Sequence, residues 1–246
     1  MSNTGYRISE ISALTGVKAG TIRFYERCGF LEKAERLPNR YRVFNRHHIY
    51  QIRVCRLVFG GFVNKHLRRI SMSVIEAASR WDLVAYEEAT HRYKKAIEDD
   101  IVRTENVILI AMNRMEYDSD SPADKLYTKK QAAEMLGVTP ETVRNWERNG
   151  LIYGGPPYQR RFYGEADMNR MYVIRFLLDT GYSMMAILRF LTEYEVGEEQ
   201  KAMRLLFGTE AGEDLKYRAD RYLDTLRQLR KKANILCGLL EEMKKI

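Results

Sequence analysis

Two segments of the chain, about 121 residues apart, carry the same set of side chains that can read nucleic-acid bases. The first spans residues 16–31 and the second spans residues 137–152, and seven of the sixteen aligned positions are identical. Each copy places a Thr, an Arg and an aromatic residue close together. On a helix lying in the major groove of DNA, an arginine can form two hydrogen bonds with guanine, and an asparagine can do the same with adenine. The pattern therefore favours sequence-specific contact with DNA.

Short helices must hold these side chains. In the first copy, apolar residues three apart predict a helix over 8–15 that stops at Gly16, and a second helix over 21–27. In the second copy, Thr139 is a good N-cap and Pro140 suits the first helical position. The short turn between the paired helices is typical of a helix-turn-helix motif.

A polar, hairpin-like stretch follows each pair of helices, at residues 35–44 and 154–163. Pro, Asn and Gly supply the turns, and the aromatic and β-branched residues beyond them suit short strands. These stretches predict a wing beside each helix-turn-helix. A further helical pair closes each copy, over residues 46–59 and 63–78 in the first and 165–179 and 183–195 in the second.

Each copy leads into a long helical pattern. Apolar residues recur at alternating spacings of four and three over 214–246, and the span 84–116 shows the same alternation. This spacing is typical of a coiled-coil seam. A polar stretch over 117–124 is the predicted linker.

The fold class that follows is mainly α, with two winged helix-turn-helix domains, each followed by a long helix of the coiled-coil type. The expected divisions are a first DNA-binding domain, a long helix with linker, a second DNA-binding domain and a C-terminal coiled-coil helix, over residues 1–78, 79–125, 126–197 and 198–246.

Charge is concentrated in the first copy. The whole chain carries +8, but residues 1–75 hold 14 basic against 4 acidic side chains, a local charge of +10. Residues 126–195 hold 9 basic against 8 acidic side chains, or +1. A concentrated positive field is typical of a module that binds a polyanion, so we expect the second copy to bind phosphate more weakly.

Other function classes find little support in the residues. Three scattered cysteines, Cys28, Cys55 and Cys237, indicate reduced thiols rather than a disulfide framework. No apolar run is long enough to cross a bilayer and the N-terminus has no signal-peptide pattern, so we expect a cytoplasmic, nucleoid-associated protein. No nucleophile–base arrangement or phosphate-cradling loop stands out, and we expect no enzyme activity, no cofactor and no metal site.

With these motifs in place, the chain resembles the MerR family of bacterial transcription regulators. The most specific pieces are Thr-Ile-Arg-Phe-Tyr-Glu at 21–26, the Gly-Phe-Leu exit at 29–31 and Arg-Tyr-Arg-Val-Phe at 40–44. The resemblance implies a dimer, paired through an antiparallel coiled coil, that bends and untwists a promoter so that RNA polymerase can engage it. Family members usually carry one such domain, whereas this chain holds two MerR-like domains covalently.

The candidate DNA contacts fall on the second helix of each motif and on each wing. On the helices we expect base or phosphate contacts from Lys18, Thr21, Arg23, Tyr25, Thr142, Arg144, Asn145 and Trp146. The rings of the aromatic residues in this set are also expected to be partly in the core. In the wings we expect contacts with phosphates and the adjacent minor groove from Arg36, Arg40, Tyr41, Arg42, Tyr158, Arg160 and Arg161.

The leading hypothesis is a regulator that reads two half-sites of promoter DNA, distorts that DNA and works with RNA polymerase. The two long helices would pair within one chain as a pseudo-dimer, or residues 214–246 would join two chains. An alternative is an architectural or chromosome-anchoring DNA protein whose second copy makes protein contacts. A third hypothesis is a recombination directionality factor, which would bend DNA without promoter effects.

Overall fold

The computed structural model describes residues 5–61, 64–112, 126–152, 162–207 and 215–246. The chain separates into two compact units, Met1–Asp99 with Leu226–Ile246, and Asp100–Thr225. Each unit contains one copy of the repeat and a part of each long helix. The fold is mainly helical, as the sequence predicts.

In the first unit, the repeat builds a small domain that we call the first reader, residues 6–79. Its core is formed by fully buried apolar side chains such as Ile11, Ile22 and Ile52. Its elements, all close to their predicted bounds, are α1 (Ile8–Thr15), α2 (Ala19–Arg27), β1 (Glu35–Arg36), β2 (Arg42–Val43), α3 (Arg46–Phe59) and α4 (Lys65–Ser79).

Asparagine side chains begin the two larger helices of the first reader. The Asn45 side chain accepts a hydrogen bond from the backbone N–H of His48 at 3.2 Å, and the Asn64 side chain accepts one from Leu67 at 2.8 Å. Such caps satisfy backbone donors that have no partner inside a helix. They fix where α3 and α4 start.

The long helices are α5 (Leu83–Met112) and α11 (Leu215–Met243). In the first unit, residues 83–99 of α5 lie with residues 226–243 of α11, and the Tyr86 hydroxyl donates to the Leu236 carbonyl at 2.9 Å. Most residues of the predicted seam whose side chains the structure describes are buried, such as Ile97 and Leu236, whereas Ile108 and Tyr222 are half-buried. The coiled-coil-type spacing is therefore confirmed as a packing pattern.

The first reader packs on α11, the long helix that follows the second copy of the repeat. Arg53 of α3 pairs with Glu242 at 2.8 Å, and the Lys232 ammonium donates to the Gly60 carbonyl at 2.7 Å. The reader is thus attached to a helix that comes 170 or more residues later in the chain.

The second unit holds the second reader, residues 127–195. Its strands pair antiparallel, with Tyr127 opposite Tyr163; in the first reader, a bridge between Tyr6 and Phe44 makes the same connection. The elements are β3 (Tyr127–Thr128), α6 (Lys129–Leu136), α7 (Pro140–Arg148), β4 (Phe162–Tyr163), α8 (Glu165–Asp179) and α9 (Met184–Glu195).

One element of this unit has no counterpart in the first. Helix α10 (Glu199–Phe207) follows α9 and buries Ala202 and Leu206 in the core of the second unit. The expectation of a single coiled-coil helix over 198–246 is therefore wrong in this part. The chain instead forms a short helix before α11 begins at Leu215.

The second reader packs on α5, the long helix that follows the first reader. Arg175 of α8 is buried and its guanidinium contacts Asp100 of α5 at 3.4 Å and Asp179 at 3.1 Å. Arg103 of α5 pairs with the same Asp100. Burial raises the pKa of Asp179, and the Arg175 charge opposes that rise. Each reader is therefore held by the long helix of the other repeat.

Two predicted segments lie outside the described residues. They are the linker over 117–124, with the end of the predicted helix before it, and most of the second wing over 154–161.

Candidate nucleic-acid interface

The first candidate surface is built on α2. Gly16 ends α1 with a left-handed φ of 65°, a conformation that favours glycine, and Val17 packs in the core beyond it. This turn directs α2 so that Ile22 is buried while Arg23 is exposed. Lys18 and Thr21 stand at the start of the helix, exposed and half-buried respectively.

Two aromatic residues of the candidate set form part of the core. Tyr25 is buried and stacks on Phe59, with ring centroids 5.4 Å apart. Trp146, at the same position of α7, is 2% exposed. A side chain so deeply packed cannot contact a base edge, so the expectation for Trp146 is corrected, and the Tyr25 ring also serves packing.

The first wing carries exposed cationic and aromatic side chains. β1 and β2 pair with Arg36 opposite Arg42, and the Leu37 N–H donates to the Tyr41 carbonyl at 2.9 Å. Arg36 and Arg40 are exposed and Tyr41 is 72% exposed. Arg40 has a φ of 65°, a strained conformation for a residue with a Cβ, which turns the chain at the tip.

Arg42 has a different role from its neighbours in the wing. Its guanidinium donates to the Glu26 carboxylate of α2 at 2.6 Å, and only 31% of the side chain is exposed. The other oxygen of Glu26 accepts from the Ala34 N–H at 3.3 Å. Glu26 therefore connects the exposed helix to both edges of the wing. This contact uses the Nε of Arg42 and holds the wing to α2, and the DNA contact expected of Arg42 stays a prediction.

The second candidate surface is built on α7. The Thr139 side chain accepts from the Thr142 N–H at 3.2 Å, which confirms the predicted cap. Arg144 and Asn145 are exposed on this helix, at the positions of Arg23 and Phe24 in the first reader. The Asn145 side-chain oxygen accepts from Asn149 at 2.9 Å.

The arginines of α7 are paired within their own helix. Glu141 accepts from Arg144 at 2.7 Å with one oxygen and from Arg148 at 2.7 Å with the other. The position of Glu141 is occupied in α2 by Gly20, so Arg23 has no such carboxylate beside it. Arg27 of α2 instead lies 5.6 Å from the Phe24 ring.

A buried carboxylate supports the base of α7. Glu147 accepts from the Lys129 ammonium and from the Tyr163 hydroxyl, both at 2.6 Å. At the equivalent position of α2, Glu26 pairs with Arg42, whereas Glu147 is buried and bonds to Lys129 and Tyr163 instead. The three remaining candidates of the second wing, Tyr158, Arg160 and Arg161, lie outside the described residues.

Phe24 and Glu141 are exposed on these helices and were not among the predicted contacts. Phe24 is 46% exposed on α2, where an aromatic side chain can contact a thymine methyl group. Glu141 sits in the first turn of α7 and bonds to both exposed arginines of that helix. An alignment of the two copies identifies both residues. At these two positions the residue type differs between the copies, whereas the core positions stay apolar or aromatic.

Metal sites, reactive thiols and membrane-spanning helices were also considered for the described residues. Among the residues that the structure describes, no group of three or more His, Cys, Asp or Glu side chains could hold a metal ion. Burial raises the pKa of the Cys55 thiol to about 12, which keeps it protonated and unreactive. In the same part of the chain, every helix is too short or too polar to cross a membrane.

Comparison with known proteins agrees with this geometry. Residues 7–44 match the family model described as MerR family regulatory protein, and residues 127–194 match the one described as MerR HTH family regulatory protein. An uncharacterized HTH-type transcriptional regulator of Haemophilus influenzae is 29% identical over 105 residues, covering 41% of this chain and 78% of the relative. No solved structure matches the chain. The matches support a MerR-type helix-turn-helix regulator, a protein that binds DNA and regulates transcription.

Proposed function

We propose that the chain is a sequence-specific transcription regulator that reads two half-sites of one DNA duplex. The observation that carries this proposal is the equivalent placement of Arg23 on α2 and Arg144 on α7. Both side chains are exposed at the same step of a helix that is held by the same turn and the same buried ring position. A helix presented in this way fits the major groove, where arginine reads guanine.

We assign different DNA contacts to the side chains of the helices and of the wings. In the first reader, Arg23 and Thr21 are placed to contact bases, and Lys18 is placed to contact a phosphate near the start of α2. The exposed wing residues Arg36, Arg40 and Tyr41 suit phosphates and the adjacent minor groove. In the second reader we propose base contacts from Thr142, Arg144 and Asn145, and wing contacts from Tyr158, Arg160 and Arg161.

Asn145 and Phe24 predict different half-sites. Asparagine reads adenine through two hydrogen bonds, whereas an exposed phenylalanine contacts the methyl group of thymine. Since the two residues occupy the same position of the two helices, we expect the two halves of the site to differ there, in the base pair or in which strand carries the adenine. The preferred duplex is therefore non-palindromic.

The packing of each reader supports an intrachain pseudo-dimer. The first reader is bonded to α11 through Arg53 and Glu242, and the second reader is bonded to α5 through Arg175 and Asp100. Each reader thus rests on the helix of the other repeat, as two subunits of a dimer would if they exchanged helices. We propose that one chain supplies both readers, and that the bound promoter is distorted so that RNA polymerase engages it.

An architectural or anchoring protein is the second candidate. The local charge of +1 in the second repeat and the paired arginines of α7 favour it, because both weaken phosphate binding. In that case α7 would serve protein contacts, and Arg144→Ala would leave every duplex affinity unchanged.

The test is selection of duplexes from a randomised pool by the full chain, followed by a footprint on the strongest duplex. The proposal expects one asymmetric protected region with two unlike halves, and loss of protection in one half only with Arg144→Ala. A protected region that stays intact in both halves with Arg144→Ala would favour the anchoring protein. Transcription from a promoter containing the selected site then reports the regulatory effect.

A further inference from the structure

The first turn of α7 contains a carboxylate that the first reader lacks. Glu141 bonds to both exposed arginines of its helix, at 2.7 Å each, and all three side chains are about half exposed. Exposed ion pairs of this kind are weak, so a duplex can open them. While they are closed, the Glu141 charge offsets the attraction of both arginines for a phosphate.

We infer that Glu141 is a specificity-determining residue of the second reader, and that it selects a C·G base pair. The inference rests on the proposed function. The start of a recognition helix faces the base edges, where a carboxylate can accept from the cytosine amine while arginine donates to the paired guanine. A C·G pair therefore offers a donor to Glu141 and acceptors to Arg144.

An A·T pair matches the carboxylate less well, because the adenine amine lies beside the N7 acceptor, which repels a carboxylate. At such a pair Glu141 either keeps its arginines or faces acceptors and phosphates, and both outcomes oppose binding. The first reader has no such restriction, because Gly20 holds the equivalent position and Arg23 is exposed beside it. The first reader then supplies general affinity, and the second reader supplies discrimination.

The Gly20 position allows the reciprocal experiment. A Cβ added at Gly20 would meet no atom of another part of the chain within 4 Å, and the position is exposed, so a side chain can be introduced there. Gly20→Gln is its matched control, because it adds a side chain of the same shape without the charge. Glu98→Gln on α5 is the control for Glu141→Gln, because Glu98 also lies in an exposed intrahelical pair, 4.0 Å from Lys94.

The experiment measures affinity of the full chain for a mixed-sequence duplex, and for the duplex selected by the wild type, over a range of salt concentrations. With Glu141→Gln, affinity for the mixed duplex should rise about tenfold, and the slope of log affinity against log salt should steepen by about one unit for each arginine released. Discrimination between the two duplexes should fall about tenfold. With Gly20→Glu, affinity should fall about tenfold relative to Gly20→Gln, for the same electrostatic reason.

The outcomes separate the inference from the function on which it rests. If wild-type protein shows no salt-sensitive binding to any duplex, the proposed function fails. If the wild type binds but Glu141→Gln changes affinity and discrimination no more than Glu98→Gln does, the function stands and the inference is overturned. A purely helix-stabilising role for Glu141 would change the melting temperature without changing the salt slope.

Discussion

The two readers share their internal contacts and differ in the side chains they expose. Both end the first helix at a left-handed glycine, Gly16 or Gly137, and both bury the aromatic ring at one position of the second helix. The exposed positions diverge, with Gly20 replaced by a glutamate and Phe24 by an asparagine. One scaffold can therefore hold two surfaces of different charge, because the residues that fix the helix are separate from those that face outward.

The same comparison extends to the attachment of each reader. Arg56 of α3 is exposed and donates to the Thr15 carbonyl at the end of α1, at 3.0 Å. The equivalent Arg175 of α8 is 7% exposed and lies between Asp100 and Asp179. An exposed arginine that caps a helix contributes little, whereas a buried one that bridges carboxylates is costly to remove.

The largest expected effect is therefore on stability. Arg175→Ala should lower the free energy of unfolding by about 3 kcal/mol, because it removes the arginine partner of Asp179 and one of the two arginines that pair with the buried Asp100. Arg56→Ala should lower it by about 1 kcal/mol, the usual contribution of one hydrogen bond. Urea unfolding of the full chain, followed by circular dichroism, gives both values. Equal losses in the two variants would show that the buried network does not anchor the second reader.

The next largest effect is on duplex affinity, to which the exposed arginine of each reader should contribute differently. Arg23→Ala should weaken binding to a mixed-sequence duplex about tenfold to a hundredfold, whereas Arg144→Ala should weaken it less than tenfold, because Glu141 already holds that guanidinium. Fluorescence anisotropy at fixed salt measures both. Arg92→Ala, an exposed arginine on α5, is the control for the change in net charge. A larger loss with Arg144→Ala would reverse the assignment of general affinity to the first reader.

Replacing Arg40, at the strained tip of the first wing, should have smaller and opposite effects on stability and on duplex binding. Arg40→Gly should raise the free energy of unfolding by about 1 kcal/mol, because glycine accepts a φ of 65° without strain. The same change should weaken duplex binding several-fold, as one phosphate contact is lost. Both are measured on one preparation. A variant that binds as tightly as the wild type would remove Arg40 from the interface.

The smallest effect is a pH dependence confined to the first reader. Burial lowers the pKa of His48 from its ordinary value of 6.5, despite the nearby carboxylates of Glu32 and Glu26, which favour protonation. The unfolded chain then binds more protons than the folded one just below pH 6.5, so stability falls as the pH drops from about 6.5 through the lowered pKa.

Thermal unfolding between pH 7.5 and pH 5 measures this slope, and His48→Gln should make it shallower. The second reader has Asp167 at the same position, bonded to the Gly164 N–H at 3.0 Å, so it has no imidazole there to protonate. An unchanged slope in His48→Gln would assign the pH dependence to other groups.

The spacing of apolar residues predicts most of the fold. Helix bounds in the readers agree within about two residues, because Gly16, Thr139 and Asn45 are strong local signals at helix ends. Helix α10 was missed because Glu199–Phe207 is short, and its burial depends on packing against α9 rather than on a local pattern. The attachment of each reader to the other repeat's helix depends on pairs far apart in sequence, such as Arg53 with Glu242.

The sequence predicted which residue types occupy the candidate surface, but not which of their side chains face outward. Arg23, Arg144 and Asn145 are exposed as expected, but Trp146 points into the core and Arg42 is paired with Glu26. Helical spacing alone does not decide which side of a nine-residue helix is covered, because that depends on the elements packed against it. Their roles in binding DNA stay predictions.

In the proposed pseudo-dimer, one chain carries both readers of a single duplex. Native mass spectrometry of the full chain with the duplex selected from the randomised pool tests this stoichiometry. The expected complex has the mass of one chain and one duplex, and it forms without a two-chain intermediate at any protein concentration. A complex that contains two chains on every duplex, at the lowest concentration that binds, would contradict the pseudo-dimer.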